Sequence, residues 1–365
     1  MTARRVFAWT MFCLALAAAP AFAGLPPITD AEKALQEVPG SPNAPAVVLF
    51  EKCDLSMMDP SNQKLVSIMN VHRRVKVLTE EGAKTQGEIV IWHSRQNRMS
   101  NFQGRTVLPD GREIQVPKDS IFQRQTSKRQ KWFETAVAFP NVVPGAILDY
   151  SYEVRFDSIY YFQPWIFQAP LPTLHSEIVY HIPEALGVGT WGMNPPGREL
   201  QQEVSPERAG RRLRVWATDL PAVPDEPYSL PWSDFSGQFM LVPHYRVWSN
   251  QRIPLLETWS DLTDILWEQI YGPALKSDKA AVQKAKELAA DDKRQTAEAI
   301  YAFVRDEIRT EPSYSILNVD EKSGVSGVVE RRSGTPTEKA LLLHAMLGAA
   351  KIDSDVVWAP DRDDG

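Results

Sequence analysis

Cysteine is scarce in this chain. The 365 residues contain only Cys13 and Cys53, too few for a disulfide-stapled scaffold or a cysteine-rich metal module. A basic excess is also missing, because the formal net charge is −6. Binding of nucleic acid needs a clustered basic face, so we expect no nucleic-acid partner.

Ligand patterns for metals are absent as well. The six histidines form no i, i+4 pair and have no neighbouring cysteine or acidic ladder, so we predict no metal site and no cofactor. The hydrophobic fraction of 43% and the charged fraction of 24% are typical of globular proteins and exclude an intrinsically disordered chain. The length allows two or three domains.

The N-terminus carries a short apolar run. Arg4 and Arg5 precede the run Val6–Leu16, and small residues lead to the A-x-A motif that ends at Ala23. This order is typical of a secretory signal peptide, and the run is shorter than the roughly 20 apolar residues that a transmembrane helix needs. We predict a signal peptide over residues 1–23 with cleavage after Ala23. The protein would then be exported to the periplasm or cell envelope, with no transmembrane helix after cleavage.

Cleavage would remove Cys13 and leave Cys53 alone. Cys53 lies far upstream of the other candidate chemistry, and we interpret it as a small half-buried side chain.

Residues 24–59 include a proline-rich stretch that we interpret as a linker-like lead-in. Residues 60–250 show short alternating segments bounded by turn residues, which predict a β-sandwich. Within them, Glu80–Gly82 is interpreted as a hairpin-like turn and Pro109–Gly111 as a second turn. The predicted strands include Val71–Leu78, Glu88–Trp92, Gly145–Val154, Ser176–Ile182, Arg211–Trp216 and Met240–Trp248.

The hydrophobic period changes to 3.6 from Pro254 onward, which predicts helices. We interpret residues 310–330 as a loop. Ala340–Ala350 is apolar almost all round, so we expect this helix to be buried on several sides. Ile352–Trp358 follows as a predicted strand, which makes residues 251–365 an α+β domain.

The segment Arg331–Val357 resembles the core of the transglutaminase-like superfamily, which has a papain-like fold. The upstream motifs are Leu78–Gly82, Pro109–Gly111, Phe139–Gly145 and Asp149–Tyr152. In combination they resemble the bacterial β-domain of unknown function that commonly precedes such cores. The resemblance implies a multidomain protein, with an N-terminal all-β sandwich followed by a C-terminal α+β domain.

In that superfamily the nucleophilic cysteine lies at the N-terminus of the buried helix, where helix-end N–H groups favour the thiolate. Alignment on Gly334 places Thr335 and Pro336 at the family's aspartate and cysteine, and proline has no nucleophile. We therefore assign no catalytic residue, with Pro336 at the expected nucleophile position. Thr335, Pro336 and Glu338 instead match a helix start with a capping box.

A second departure concerns the histidine and aspartate that the family places on later strands. The sequence ends at Gly365, so we expect the C-terminal domain to be incomplete. His344 lies eight residues into the same helix, about 12 Å along its axis from position 336 at 1.5 Å per residue. We interpret His344 as a core or rim residue.

Together these features predict an exported, catalytically inactive transglutaminase-like protein with a binding or scaffolding role toward an unidentified protein, peptide or glycan. One alternative is a cysteine-type peptidase or acyltransferase whose nucleophile is misaligned, with Cys53 as the candidate, or whose sequence is truncated. Another is a glycan-binding module that uses the aromatic residues from Tyr160 to Phe167.

Overall fold

The computed structural model describes residues 24–59, 61–62, 64–94, 97–127, 131–156, 158–159, 164–195, 197–223, 235–313 and 318–357. The segment predicted as a signal peptide lies outside these residues. Among the described residues, strands dominate before residue 255 and helices after residue 258. The predicted change from strand-rich to helix-rich structure is therefore confirmed.

The strand-rich part begins with helix α1 (Asp30–Ala34) and contains helix α2 (Glu80–Gln86). Its described strands are β1 (Ala46–Met58), β2 (Leu65–Val77), β3 (Glu88–Ser94), β4 (Asn97–Val107), β5 (Glu113–Gln115), β6 (Ile121–Ser127), β7 (Trp132–Ala138), β8 (Ile147–Phe156), β9 (Trp165–Ile166), β10 (Thr173–Pro183), β11 (Leu186–Met193), β12 (Gln201–Glu207), β13 (Gly210–Leu220), β14 (Gln238–Trp248) and β15 (Gln251–Pro254).

These strands form one large sheet and two smaller ones. The eight-stranded sheet has the order β12-β13-β10-β1-β2-β8-β4-β5, and within it β1 and β10 are parallel whereas the other neighbours are antiparallel. The second sheet has the order β3-β7-β6. The third has the order β11-β14-β15, with β9 also paired to β14.

Both small sheets pack on the same face of the large sheet, which we call the core face. Val71, Val75 and Val77 alternate along β2 and therefore point to one side. Val71 lies in the core shared with β11 and β14, whereas Val75 and Val77 lie in the core shared with β7. The opposite side of the large sheet, here called the outer face, is covered in part by α1 and the residues around it.

One predicted turn is wrong. Residues 80–82 begin helix α2 instead of a hairpin, because the Thr79 side chain accepts a hydrogen bond from the backbone N–H of Gly82 and caps the helix. As a result β2 and β3 are not paired with each other and belong to different sheets. The turn predicted at Pro109–Gly111 is confirmed, since it joins β4 to β5 with Gly111 at a φ of +88°.

The helix-rich part has its own apolar core. Its elements are α3 (Trp259–Leu266), a π-helical segment (Trp267–Tyr271), α4 (Gly272–Lys276), α5 (Lys279–Glu287), α6 (Lys293–Ala302), a π-helical segment (Phe303–Glu307), β16 (Arg309–Thr310), α7 (Gly324–Arg331), β17 (Ser333–Gly334) and α8 (Pro336–Ala349). Helix α8 packs against α5, α6 and α7. Leu341, Leu342 and Met346 of α8 are fully buried, as its all-round apolar sequence predicts.

Two expectations for this part are wrong. The predicted loop at residues 310–330 contains helix α7, whose glycines and valines have weak helix propensity but whose Val325 and Val328 are buried in the core. The predicted strand Ile352–Trp358 is irregular over residues 352–357, where the described residues offer it no strand partner. Trp358 itself lies outside the described residues.

Candidate functional site

The N-terminus of α8 is the position where the sequence resemblance locates a reactive group. Thr335 is the N-cap, and its Oγ1 accepts a hydrogen bond from the Glu338 N–H at 3.2 Å. The Glu338 Oε2 accepts from the Thr335 N–H at 2.8 Å. Pro336 occupies the first helical position and is exposed. The predicted capping box is therefore confirmed, and it satisfies backbone donors that a helix start leaves unpaired.

Glu338 is the centre of a buried polar network at this helix start. Only 2% of the residue is exposed, and its Oε1 accepts from the Asp320 N–H at 3.0 Å and from Arg331 Nη2 at 3.3 Å. A carboxylate in the first turn interacts favourably with the partial positive charge of the helix N-terminus. The Glu338 side chain thus pairs with groups on three sides of this helix start: the Thr335 N–H, the Asp320 N–H and the Arg331 guanidinium.

Asp320 adds a second carboxylate beside this network. Burial alone would raise the pKa of Asp320, but hydrogen bonds from the Ser323 hydroxyl and backbone, and from the Lys322 backbone, outweigh it and lower the pKa. The Ser323 Oγ donates to Asp320 Oδ2 at 2.7 Å, and Arg331 Nη1 donates to that same Oγ at 3.0 Å. Arg331 therefore bridges the two acidic groups.

The Thr335 hydroxyl, which precedes the expected nucleophile position in the sequence, makes hydrogen bonds that stabilise the helix start. Thr335 is fully buried, and its Oγ1 donates to the Asn318 carbonyl at 3.0 Å while accepting from the helix. A hydroxyl acts as a nucleophile only when a base within hydrogen-bond reach takes its proton. The Thr335 hydroxyl donates its hydrogen bond to the Asn318 carbonyl, which is not a base. This geometry holds the helix start in place and does not activate the oxygen.

His344 lies two turns further along α8. Its Nδ1 is 3.0 Å from the Ser354 Oγ, and its ring packs edge-on against Trp267 with 5.8 Å between ring centroids. The first contact links the segment after α8 to the helix, and the second packs the π-helical segment Trp267–Tyr271 against it. The structure brings His344 to Ser354 and not to Thr335 or Pro336.

Cys53 lies on β1, with 1% of its surface exposed, inside the core between the eight-stranded sheet and the β11-β14-β15 sheet. Burial, with smaller contributions from Asp54 and Glu51, raises the pKa of its thiol well above the ordinary value. The thiolate is the reactive form of cysteine. Cys53 is therefore held as an unreactive thiol, which disfavours it as a misaligned nucleophile.

The aromatic segment proposed for glycan stacking divides into two parts. Trp165 and Phe167 are buried in the same core as Cys53, and Trp165 Nε1 donates to Ser176 Oγ at 3.1 Å. Tyr160, Tyr161 and Phe162 lie outside the described residues. The two described rings have no open face on which a sugar could stack.

Within the described parts of the chain, no group of three or more histidine, cysteine, aspartate or glutamate side chains is arranged to hold a metal ion. The same residues include no helix that is both long and apolar enough to cross a membrane.

Sequence reasoning missed a buried charge network on the outer face of the large sheet. Asp149 is fully buried on β8; its Oδ1 is 2.8 Å from His72 Nε2, and its Oδ2 accepts from Arg105 Nη2 at 2.7 Å. Arg74 donates to both Asp149 oxygens at 3.2 Å. Burial alone would raise the pKa of Asp149, but hydrogen bonds from His72, Arg74 and Arg105 outweigh it and lower the pKa.

This network holds the residues that follow the predicted signal peptide against the outer face of the large sheet. Arg74 donates to the Pro26 carbonyl at 2.9 Å and to Glu32 Oε1 at 2.7 Å, and Lys76 donates to the Lys33 carbonyl at 2.9 Å. The one available sequence signal is the alternation of His72, Arg74 and Lys76 with the valines of β2. It indicates a polar outer face but not its partners, which come from distant parts of the chain.

Comparison with known proteins relates a part of this chain to a family model, and its fold to a solved structure. A family model described as a domain of unknown function (DUF3857) matches residues 67–224, which confirms the predicted β-domain of unknown function over that range. No curated protein matches the chain. A crystal structure from Parabacteroides distasonis, provisionally described as a protease, has a TM-score of 0.64 and 14% identity.

That alignment covers 84% of this chain and 59% of the Parabacteroides chain, so this sequence spans less than two thirds of its structural relative. Native yeast LTA4 hydrolase has a TM-score of 0.28 and 11% identity, and its alignment covers 50% of this chain and 30% of the hydrolase. An M1 zinc metallopeptidase from Deinococcus radiodurans also has a TM-score of 0.28, with 9% identity and an alignment that covers 84% of this chain and 65% of the peptidase. Scores this low support no argument. The chain therefore shares the fold of the Parabacteroides protein and, over residues 67–224, matches a family of undetermined function.

Proposed function

We propose that this chain is an exported protein with a transglutaminase-like C-terminal domain that performs no cysteine chemistry and serves in binding or scaffolding in the periplasm or cell envelope. The observation that carries the proposal is the start of α8. There, the exposed Pro336 is the first helical residue, and Thr335 and Glu338 form a capping box around it. Alignment of the sequence on Gly334 puts the family's nucleophile at this same residue.

The surroundings of Pro336 support inactivity beyond the missing thiol. The buried Glu338 carboxylate already faces the helix N-terminus, and Asp320 lies beside it. The hydrogen bonds among Thr335, Glu338 and Arg331 stabilise the start of α8.

A binding or scaffolding role requires a folded module, and the helix-rich part has its own packed core. Ile300, Val328, Leu341 and Met346 are fully buried in it. Export is supported by the order of Arg4–Arg5, the apolar run and Ala23.

The proposal is tested by acyl transfer from a glutamine-containing peptide to a fluorescent amine, and by hydrolysis of the same peptide, with the mature protein. We expect wild type, Cys53→Ser and Thr337→Ala to match the protein-free blank. Saturable turnover by wild type would contradict the proposal. Its loss in Cys53→Ser would identify the cysteine alternative, and its loss in Thr337→Ala would identify a hydroxyl nucleophile.

A further inference from the structure

A cavity of about 440 Å³ lies at one end of the eight-stranded sheet, remote in sequence from α8. It is formed by the tight turn Val38–Ser41, the start of β10, the end of β13 and the loop before β12. Its buried floor is apolar and includes Val38, Pro172 and Leu220. Small-molecule sites are typically concave, largely apolar and several hundred cubic ångströms in volume.

Two exposed residues of opposite charge, Arg198 and Asp219, line the mouth of this cavity without forming an ion pair with each other. Arg198 donates from Nη1 to the Gly197 carbonyl at 2.9 Å, and Asp219 forms no ion pair with it or with any other residue that the structure describes. A guanidinium recognises a carboxylate through charge-assisted hydrogen bonds, and a carboxylate similarly accepts from an ammonium group. The cavity thus offers separate partners for both ends of a zwitterion.

The backbone of Asp219 is left-handed. Its φ is +53° within strand β13, a conformation that is uncommon for residues other than glycine but that aspartate adopts more readily than most. It is one of eight non-glycine residues with positive φ in the described parts of the chain. Asparagine or glycine would tolerate this conformation more readily, but neither supplies a negative charge to the cavity.

We propose that this cavity binds a free α-amino acid with an apolar side chain. Arg198 would take the carboxylate, Asp219 the ammonium group, and the floor around Pro172, Leu174 and Leu220 the side chain. This site is independent of the start of α8, so its failure would leave the proposed inactivity of the C-terminal domain untouched.

The test is isothermal titration calorimetry of the mature protein with L-leucine, compared with 4-methylpentanoic acid, 3-methylbutylamine and glycine. These three probes lack the ammonium group, the carboxylate and the apolar side chain, respectively. We expect saturable binding of L-leucine and affinity at least about tenfold weaker for each of the other compounds. Absence of saturable heat from L-leucine at millimolar concentration would overturn the proposal.

Substitutions of the two charged cavity residues test whether L-leucine binds in this cavity. Arg198→Gln and Asp219→Asn should each weaken L-leucine binding at least about tenfold. Arg208→Gln and Asp119→Asn, which alter exposed charges outside the cavity, should leave it unchanged. Asp219→Gly should lose binding while raising the melting temperature, because glycine relieves the positive φ. Unchanged affinity in both Arg198→Gln and Asp219→Asn would overturn the proposal, provided that circular dichroism shows both variants folded.

Discussion

Asp149 shows how one buried carboxylate can organise a part of the molecule that is distant in sequence. It pairs with the guanidinium groups of Arg74 and Arg105, which also bond to Glu32 and Glu113. Arg74 in turn holds the backbone carbonyls of Pro26 and Pro27. A buried ion pair adds little compared with an apolar core, but removing one partner leaves an uncompensated buried charge. The cost of substitution should therefore be large.

We expect Asp149→Asn to lower the free energy of unfolding by about 3–5 kcal/mol, measured by urea denaturation at pH 7. Limited proteolysis should then cut residues 24–35, whose anchors depend on Arg74 and Arg105. Glu153→Gln is the matched control on the same strand. Its exposed bonds from Ser100 and Asn101 predict a loss below about 1 kcal/mol. Equal losses in the two variants would contradict this account of the network.

The Glu177 carboxylate on β10 should make the free energy of unfolding fall at acidic pH. Burial alone would raise the pKa of its carboxyl, but hydrogen bonds from His175 and Arg214 outweigh it and lower the pKa from 4.5 to about 2. Because the folded pKa lies below the unfolded one, the carboxylate stabilises the fold fully above pH 4.5. This contribution is lost as the pH falls from about 4.5 toward 2.

Glu177→Gln should lower the free energy of unfolding at pH 7 by about 1.5–3 kcal/mol and flatten the decline of stability between pH 4.5 and 2. Urea denaturation at several pH values in this range measures both effects. Glu203→Gln alters an exposed partner of Arg214 at 3.9 Å and should leave the slope unchanged. A Glu177→Gln slope equal to that of wild type would show that another group causes the acid sensitivity.

Among the secondary-structure elements, helix α2 depends on a close backbone approach. A Cβ on Gly82 would lie 1.9 Å from the Pro45 carbonyl oxygen, whereas one on Gly348 in α8 would meet nothing within 4 Å. The Pro45 oxygen also accepts from the N–H groups of Leu78 and Thr79, so it cannot move away without breaking both bonds.

We therefore expect opposite effects from two glycine-to-alanine substitutions in helices. Gly82→Ala should destabilise the protein by about 1–3 kcal/mol through overpacking, although alanine is the better helix former. Gly348→Ala should stabilise it by about 0.5–1 kcal/mol through helix propensity. Thermal and urea denaturation of both variants measures the signs. Stabilisation by Gly82→Ala would contradict the described position of α2.

Local pattern predicted most of these elements. The alternation of β2, β10 and β13 and the Thr335 capping box are local signals, and the structure bears them out. Helix α2 was missed because its Glu-Glu-Gly sequence also suits a turn, and α7 because its Gly324 and Gly327 disfavour a helix until burial of its valines compensates. The Asp149 network could not be predicted, since its members are brought together only by strand pairing.

At the scale of the whole molecule, the proposed export has a direct consequence. The mature protein should begin at Gly24, because signal peptidase cuts after the small residues of the A-x-A motif. N-terminal sequencing and intact mass of the protein recovered from the periplasm of a bacterial host measure this. Ala23→Arg should block cleavage and leave the precursor in the membrane fraction. Full-length wild-type protein in the cytosol would contradict export.

At the start of α8, we propose, no side chain acts as a catalytic nucleophile. The most direct test of this central proposal is intact-mass spectrometry of the folded mature protein after incubation with an electrophilic acyl donor, followed by peptide mapping. The account predicts no acyl adduct at residues 333–340, and modification of Cys53 only after unfolding. A stoichiometric adduct at Thr335, Thr337 or Lys339 in the folded protein, turned over on addition of an amine, would contradict it.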